Sequence, residues 1–167
     1  VFTFLILVAV GSQFIIVTQA DSSPWASEPE PEALVYIKDD GSIVPSTAPI
    51  ERAGNVYRLT EEIFNQTIII EQNNILLDGA GFKIEEKVKS GKSLTAIDQR
   101  GLYLNRVKNV TVQNMEVRNF NFGIFSEWAT NCVITNITLT NDAKPRSEWI
   151  GDGFNLRNCL NCQIINN

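Results

Sequence analysis

Two aspartates, Asp142 in "TND" (140–142) and Asp152 in "GDG" (151–153), are the side chains whose type and spacing best fit chemistry. Cleavage of glycosidic bonds uses paired carboxylates as general acid and general base. The sequence contains no histidine, so the commonest general base is missing. If the chain is an enzyme, Asp142 and Asp152 are the expected acid and base. The simpler interpretation is that Asp152 is a turn residue that precedes the start of a strand.

Two segments, 86–100 and 142–152, flank the shorter stretch 119–122. Two long loops beside a short one would leave a groove between them. Aromatic rings with carboxylates and arginine are typical of grooves that bind sugars, so the expected partner is a polysaccharide or a surface glycan. The expected lining residues are Asp98, Arg100, Tyr103, Phe125, Asp142, Trp149 and Asp152. The alternative is ordinary variation of surface loops.

A recurring pattern must position these residues. Asn74, Asn109, Asn131 and Asn161 begin successive copies of it, and the interval from Asn109 to Asn131 is the shortest, because the two long segments lengthen the others. Each copy alternates apolar and polar residues with the period of a β-strand. A period near 22 with several short strands fits one coil of a right-handed parallel β-helix, in which coils stack at about 4.8 Å. The frame of a leucine-rich repeat is absent. The sequence therefore predicts an all-β parallel β-helix, incomplete at the C-terminus.

Stacking the copies gives columns of residues that should lie above one another. The apolar columns are Leu102, Ile124 and Phe154; Val107, Ala129 and Cys159; Val110, Cys132 and Cys162; and Val112, Ile134 and Ile164. Two asparagine columns are expected to form ladders at the corners, because an amide can bond backbone groups and the copies above and below it. The ladder residues are Asn109, Asn131 and Asn161 in one column and Asn114, Asn136 and Asn166 in the other.

The three cysteines fall in these apolar columns. Cys159 and Cys162 in "CLNC" have the spacing of a redox or metal-binding pair, but their columns favour small apolar core residues. Cys132 and Cys162 should lie on adjacent coils, within disulfide reach by Cα distance. Because histidine is missing and Met115 is the single methionine, no metal site is predicted. No cofactor is expected, although calcium and copper stay open.

Three asparagines have the Asn-x-Thr pattern of N-glycosylation acceptors, namely Asn65, Asn109 and Asn136. A sequence rich in asparagine and threonine also produces this pattern by chance, so both interpretations stay open.

The N-terminal residues differ in composition from the rest. Residues 1–17 are almost wholly apolar and resemble the core of a secretory signal, so 1–20 is interpreted as a signal peptide or a membrane anchor without its start. Residues 21–33 form a Pro- and Glu-rich linker. We expect a β-rich lead-in and cap over 34–72 and β-helix coils over 73–167. The first residue is valine, and the chain is interpreted as a fragment of a longer protein.

The net charge of the chain indicates which classes of binding partner to expect. The net charge is −5 at pH 7 and no basic cluster is present, so nucleic acid is excluded as an expected partner. An N-terminal signal or anchor implies a secreted or cell-surface protein, which would contact a membrane only through that segment.

Three stretches, "GLYLNRVKNVTVQNMEVRNFNFG", "NNILLDGAGFKI" and the lead-in "LVYIKDDGSIVPSTAPIERAGNVYRLTEEI", resemble archaeal secreted proteins built from right-handed parallel β-helix repeats. This family is known as NosD-type or "periplasmic copper-binding" β-helix proteins. The resemblance covers about residues 34–167 and implies the fold and an exported location. It would also imply copper handling, for which the residues offer little support. "TND" and "GDG" resemble acidic motifs of polygalacturonases, whose His-bearing and Arg-Ile-Lys motifs are absent.

Three functions follow, in order of preference. The first is a non-enzymatic exported protein that is structural or binds carbohydrate. The second is a lyase, hydrolase or epimerase acting on polysaccharide, with catalytic coils partly beyond residue 167. The third is copper handling.

Overall fold

The computed structural model describes residues 6–10, 13–17, 34–87, 100–141 and 152–167. Within these ranges the chain is all-β, and no helix has the length and apolar character needed to cross a membrane. The strands are β1 (Ile6–Val10), β2 (Gln13–Val17), β3 (Leu34–Ile37), β4 (Ile43–Val44), β5 (Ile50–Ala53), β6 (Val56–Leu59), β7 (Ile63–Phe64), β8 (Thr67–Ile70), β9 (Leu76–Asp78), β10 (Lys83–Glu85), β11 (Arg100–Asn105), β12 (Thr111–Arg118), β13 (Phe122–Glu127), β14 (Val133–Thr140), β15 (Asp152–Arg157) and β16 (Gln163–Ile165).

The chain divides into two compact units, residues 1–31 and 32–167. In the first unit, strands β1 and β2 form an antiparallel pair in which Ile6 lies opposite Val17.

The second unit consists of two sheets. Sheet 1 runs in the order β16-β14-β12-β9-β6-β5, with β10 also paired to β12 and to β7, and sheet 2 runs β15-β13-β11-β8-β3-β4. From β11 onward successive strands alternate between the two sheets. The pairs are parallel except those of β4 with β3 and β5 with β6. Hence the strand at one edge of each sheet is antiparallel to its neighbour.

The register of the strands follows the columns that were predicted from the spacing. Leu102 pairs with Ile124, and Ile124 pairs in turn with Phe154. In sheet 1, Ile134 lies between Val112 and Ile164. These predicted columns are confirmed. The register places whole rows of apolar side chains on the same face of each sheet.

The core is one continuous cluster of apolar side chains from both sheets. Its fully buried members include Val35, Ile68, Ile70, Leu77, Ile84, Leu102, Leu104, Val112, Ile124 and Ile134. Complete burial of each isoleucine or leucine side chain contributes about 1.5–3 kcal/mol. Cys159 and Cys162 pack against this cluster, and Cys132 is part of it.

Left-handed backbone conformation occurs at turns between strands and also inside strands β12 and β14, at Asn114 and Asn136. Thirteen described non-glycine residues have positive φ angles, and ten of them are asparagine. Asparagine tolerates this conformation because its short amide can bond nearby groups. The ten are Asn65, Asn74, Asn109, Asn114, Asn119, Asn131, Asn136, Asn158, Asn161 and Asn166.

Asparagine amides in successive turns hydrogen-bond to one another. Asn109 Nδ2 donates to Asn74 Oδ1 at 2.8 Å, Asn131 Nδ2 to Asn109 Oδ1 at 3.3 Å, and Asn161 Nδ2 to Asn131 Oδ1 at 3.4 Å. A second row joins Asn136 Nδ2 to Asn114 Oδ1 at 3.4 Å and Asn114 Nδ2 to Asp78 Oδ1 at 3.2 Å. Each of these amides therefore links equivalent positions in successive copies of the repeat.

Candidate functional site

A small cleft lies where β12 ends, the short stretch 119–122 turns, and β13 begins. Its volume is about 200 Å³. The lining residues are Val117, Phe120, Gly123, Leu139, Thr140, Asn141, Asp152 and Gly153. Pockets for drug-sized ligands usually have about 300–1,000 Å³. A cleft of this size therefore fits a single ring or a short polar group.

The cleft combines an apolar wall with polar groups. Val117, Phe120 and Leu139 supply the apolar side, while Asn141 and Asp152 are exposed. The Thr140 hydroxyl oxygen is buried and has no hydrogen-bond partner among the atoms of the described residues. Leaving a buried hydroxyl unpaired costs about 1–3 kcal/mol. Thr140 therefore brings an unsatisfied polar group to the residues that line the cleft.

Glycine makes room for the cleft and for the close approach of its strands. A Cβ on Gly123 would lie 2.7 Å from the carbonyl oxygen of Gly153 and 2.8 Å from Leu139 Cδ2. Real Cβ atoms essentially never come this close to a backbone oxygen, which does not move as freely as a side chain. A side chain at position 123 would therefore collide with the backbone of the paired strand β15, and glycine avoids this collision.

An aromatic and basic surface adjoins the cleft on sheet 2. We call it the arginine-aromatic face; it consists of Arg100, Tyr103, Phe122, Phe125 and Arg157. The Arg100 guanidinium carbon lies 4.0 Å from the ring centre of Phe125 and 4.6 Å from that of Tyr103, while Arg157 lies 5.1 Å from Phe125. These are cation–π distances. Phe125 is only 2 % exposed, so its ring packs against other side chains and is not open to a ligand.

Tyr103 carries the polar group of this face. Its hydroxyl lies 3.3 Å from Glu127 Oε2 and 3.3 Å from Asn105 Oδ1, to either of which it donates. Burial raises the pKa of the Tyr103 phenol, and the charge of Glu127 raises that pKa further. Tyr103 therefore stays protonated and acts as a neutral hydrogen-bond donor.

The structure brings four of the seven predicted groove residues into one region. Arg100, Tyr103 and Phe125 belong to the arginine-aromatic face. Strand pairing places Asp152 in the same row as Arg100, with Phe122 between them. Asp152 Oδ2 accepts a hydrogen bond of 3.0 Å from Asn155 Nδ2. The other three predicted residues, Asp98, Asp142 and Trp149, lie outside the described residues, and with them one half of the expected acid–base pair.

The cysteines lie in apolar surroundings. None of the three, all of which are described, is in a disulfide. Burial raises the pKa of the Cys132 thiol to about 11. Cys159 Sγ lies 3.4 Å from Ser126 Oγ. In the described ranges no group of three or more histidine, cysteine or acidic side chains is arranged to hold a metal ion.

Two of the three glycosylation acceptors by pattern, Asn109 and Asn136, are exposed and are also members of the asparagine rows. The third, Asn65, is half-buried and its Oδ1 accepts a hydrogen bond from Lys87 N at 2.8 Å. Thr67, the threonine of that sequon, is buried and its hydroxyl donates to the Arg100 carbonyl oxygen at 2.6 Å.

Sequence reasoning missed most of the cleft. Phe120, Leu139, Thr140 and Asn141 were not among the expected site residues. The available signal was the short turn at 119–122 together with a polar Thr-Asn pair at the end of a strand. The groove was expected between the two long segments, beside the short stretch 119–122, and the cleft lies against that stretch.

Comparison with known proteins adds no relative. No family model matches the sequence, and no curated protein and no solved structure is significantly similar to it.

Proposed function

We propose that this chain belongs to an exported right-handed parallel β-helix protein that binds carbohydrate. Three features support the β-helix. The strand pairs from β11 onward are parallel and join equivalent positions of successive copies of the repeat. Successive strands alternate between two sheets, and asparagine amides connect equivalent turns. The NosD-type resemblance of residues 34–167 supports the same architecture, and the apolar segment 1–17 supports export.

Carbohydrate binding rests on one observation above all, the cleft beside the short turn. A sugar ring has an apolar face of C–H groups and a rim of hydroxyls. The partly exposed Leu139 fits the apolar face, while the unpaired hydroxyl of Thr140, the Asn141 amide and the Asp152 carboxylate fit the rim. The cleft volume of about 200 Å³ limits the bound group to about one ring. The arginine-aromatic face would contact the neighbouring part of a longer glycan.

The test is a binding titration with defined sugars. The full chain would be titrated calorimetrically with oligosaccharides of glucose, mannose, N-acetylglucosamine and galacturonic acid. Thr140→Val keeps the shape of the side chain and removes the hydroxyl. We expect it to weaken binding about 3- to 10-fold, since one neutral hydrogen bond is worth about 0.5–1.5 kcal/mol.

Thr135→Val is the matched control, because Thr135 lies on the same strand β14 and outside the cleft lining. Its affinity should equal that of the unsubstituted chain. The proposal is wrong if no oligosaccharide binds, or if Thr140→Val and Thr135→Val bind equally well.

A polysaccharide-active enzyme is the second candidate, because an exposed acidic residue, Asp152, lines the cleft. Asp152→Asn retains the size of the side chain and removes its charge. An enzyme would depolymerise or epimerise a glycan and lose that activity on this substitution. A binding protein would leave the glycan unchanged in either form.

A further inference from the structure

Trp128 has a backbone conformation that a bulky residue rarely adopts. Its φ angle is +57°, in the left-handed region. This conformation costs a residue with a Cβ about 1–2 kcal/mol. At most turns of this chain the left-handed residue is asparagine, and Asn158 occupies the position next to Trp128 in the following strand–turn unit. Strain of this kind persists where surrounding structure enforces it, often at sites of function.

Packing does not account for the tryptophan. Its side chain is 54 % exposed, the most exposed aromatic side chain within 34–87, 100–141 and 152–167. Within that part of the chain its indole has no aromatic or cation–π partner. A large apolar ring is therefore presented to solvent from a strained turn.

The neighbours of Trp128 are polar and exposed, and they are regularly spaced. Arg106 precedes it and Asn158 follows it in equivalent turns, because Asn105 pairs with Glu127 and Glu127 with Arg157. Adjacent turns are joined by backbone hydrogen bonds, Arg106 N to Glu127 O at 2.8 Å and Trp128 N to Arg157 O at 3.0 Å. Neighbouring positions are thus separated by about 4.8 Å, the distance between paired strands.

The same edge is locally basic although the chain is acidic. Arg106 and Lys108 are both exposed here, while the whole chain has a net charge of −5. An arginine binds a carboxylate through paired hydrogen bonds, and an asparagine amide both donates to and accepts from hydroxyls. An exposed indole provides a flat apolar surface for the C–H face of a sugar.

We infer that the edge formed by Arg106, Lys108, Trp128 and Asn158 binds an acidic polysaccharide, one whose sugar rings carry carboxylates. One ring stacks on Trp128, a carboxylate of the neighbouring ring meets Arg106 or Lys108, and hydroxyls on the other side meet Asn158. This inference rests on the proposed carbohydrate binding and deepens it by naming the class of glycan and a contact outside the cleft.

The test uses Trp128→Asn, which places at this turn the residue type that most other left-handed turns contain. The variant should fold at least as stably as the unsubstituted chain, because asparagine relieves the strain. On a gel containing polygalacturonate, the apparent affinity of the variant should be at least 10-fold lower than that of the unsubstituted chain. This edge should not bind dextran, a neutral polymer, in either the variant or the unsubstituted chain. Retention on polygalacturonate should also weaken with added salt, since exposed charges are screened.

Val56→Thr is the control, because Val56 is an exposed apolar residue on β6 and is remote in sequence from this edge. It should leave retention unchanged. Undiminished retention of Trp128→Asn, or equal retention on neutral and acidic polymers, would overturn the inference.

The cleft variants separate this inference from the proposed function. Loss of polygalacturonate retention in Trp128→Asn but not in Thr140→Val would support the edge even if the cleft binds no sugar. Loss in Thr140→Val alone would support the cleft and refute the edge.

Discussion

The phenol hydroxyl of Tyr57 donates a hydrogen bond of 2.9 Å to the carbonyl oxygen of Gly41. Tyr57 lies on β6 of sheet 1 and Gly41 lies in the turn between β3 and β4 of sheet 2, so the bond joins the two sheets near their antiparallel edge strands. Arg52 Nη1 donates to the same oxygen at 2.7 Å. The Tyr57 side chain is fully buried, so both its ring and its hydroxyl contribute to this junction.

Tyr57→Phe should lower the free energy of unfolding by about 0.5–1.5 kcal/mol, the net worth of one hydrogen bond. The lower part of that range is expected, because Arg52 still satisfies the Gly41 carbonyl. Tyr57→Ala should cost about 3–5 kcal/mol through the cavity it leaves. Urea unfolding measures both values, and equal losses for the two variants would show that the ring contributes nothing beyond the hydroxyl.

Substitutions at Asn131 test whether the left-handed backbone conformation explains why asparagine occurs at these turns. Asn131→Gly and Asn131→Ala both remove the amide that bonds Asn109, but only alanine is strained at a φ angle of +55°. We expect Asn131→Ala to be less stable than Asn131→Gly by about 1 kcal/mol or more. Chemical unfolding of the two variants measures the difference. If alanine is the more stable of the two, the left-handed turn does not explain why asparagine occurs here.

Gly123 tests the close approach of β13 and β15. In Gly123→Ala the new methyl group meets the Gly153 backbone oxygen, and we expect a loss of about 1–3 kcal/mol from overpacking. Gly153→Ala is the matched variant, because among the described residues its Cβ would meet Leu139 Cδ1 at 3.2 Å, a side-chain atom that can shift. Thermal unfolding should rank Gly123→Ala below Gly153→Ala, and the opposite order would contradict the described strand spacing.

The Cys132 thiol makes stability depend on alkaline pH. Its pKa is raised from 9.0 to about 11 in the folded chain. Between these values the unfolded chain loses the proton and the folded chain keeps it, so the free energy of unfolding falls as the pH rises from about 9 to 11. The raised pKa values of Tyr57 and Tyr103 act in the same direction above pH 10.

Cys132→Val separates the thiol from the tyrosines, because valine is the residue found in the same column at Val110. The variant should show a shallower fall of stability between pH 9 and 11, measured by urea unfolding at several pH values. Parallel curves for the two chains would show that Cys132 does not titrate differently in the folded state.

Much of the second unit could be predicted from the sequence. The spacing of Asn109, Asn131 and Asn161 and the alternation of apolar and polar residues around them identified parallel strands and their register, including the row Leu102, Ile124 and Phe154. This was possible because a strand places alternate residues on opposite faces, and a slip by a single position would move every apolar side chain out of the core. The local alternation of apolar and polar residues is therefore enough to predict which residues of distant strands pair.

The candidate site depended on tertiary structure. Phe120 and Thr140 line one cleft although Phe120 belongs to the short turn after β12 and Thr140 ends β14. Thr140 became notable only because its hydroxyl is buried without a partner among the described residues. Phe125 was expected to face a ligand, but Arg100 and Arg157 pack on its ring.

Side chains from neighbouring strands determine how exposed each residue is and which hydrogen-bond partner each polar atom has. By itself the sequence determined which residues share a row, because the period of a strand and the repeat of the turns are both local properties. Only the packing of those rows decided which residues remain open to solvent, as at Trp128 and the short turn beside Gly123.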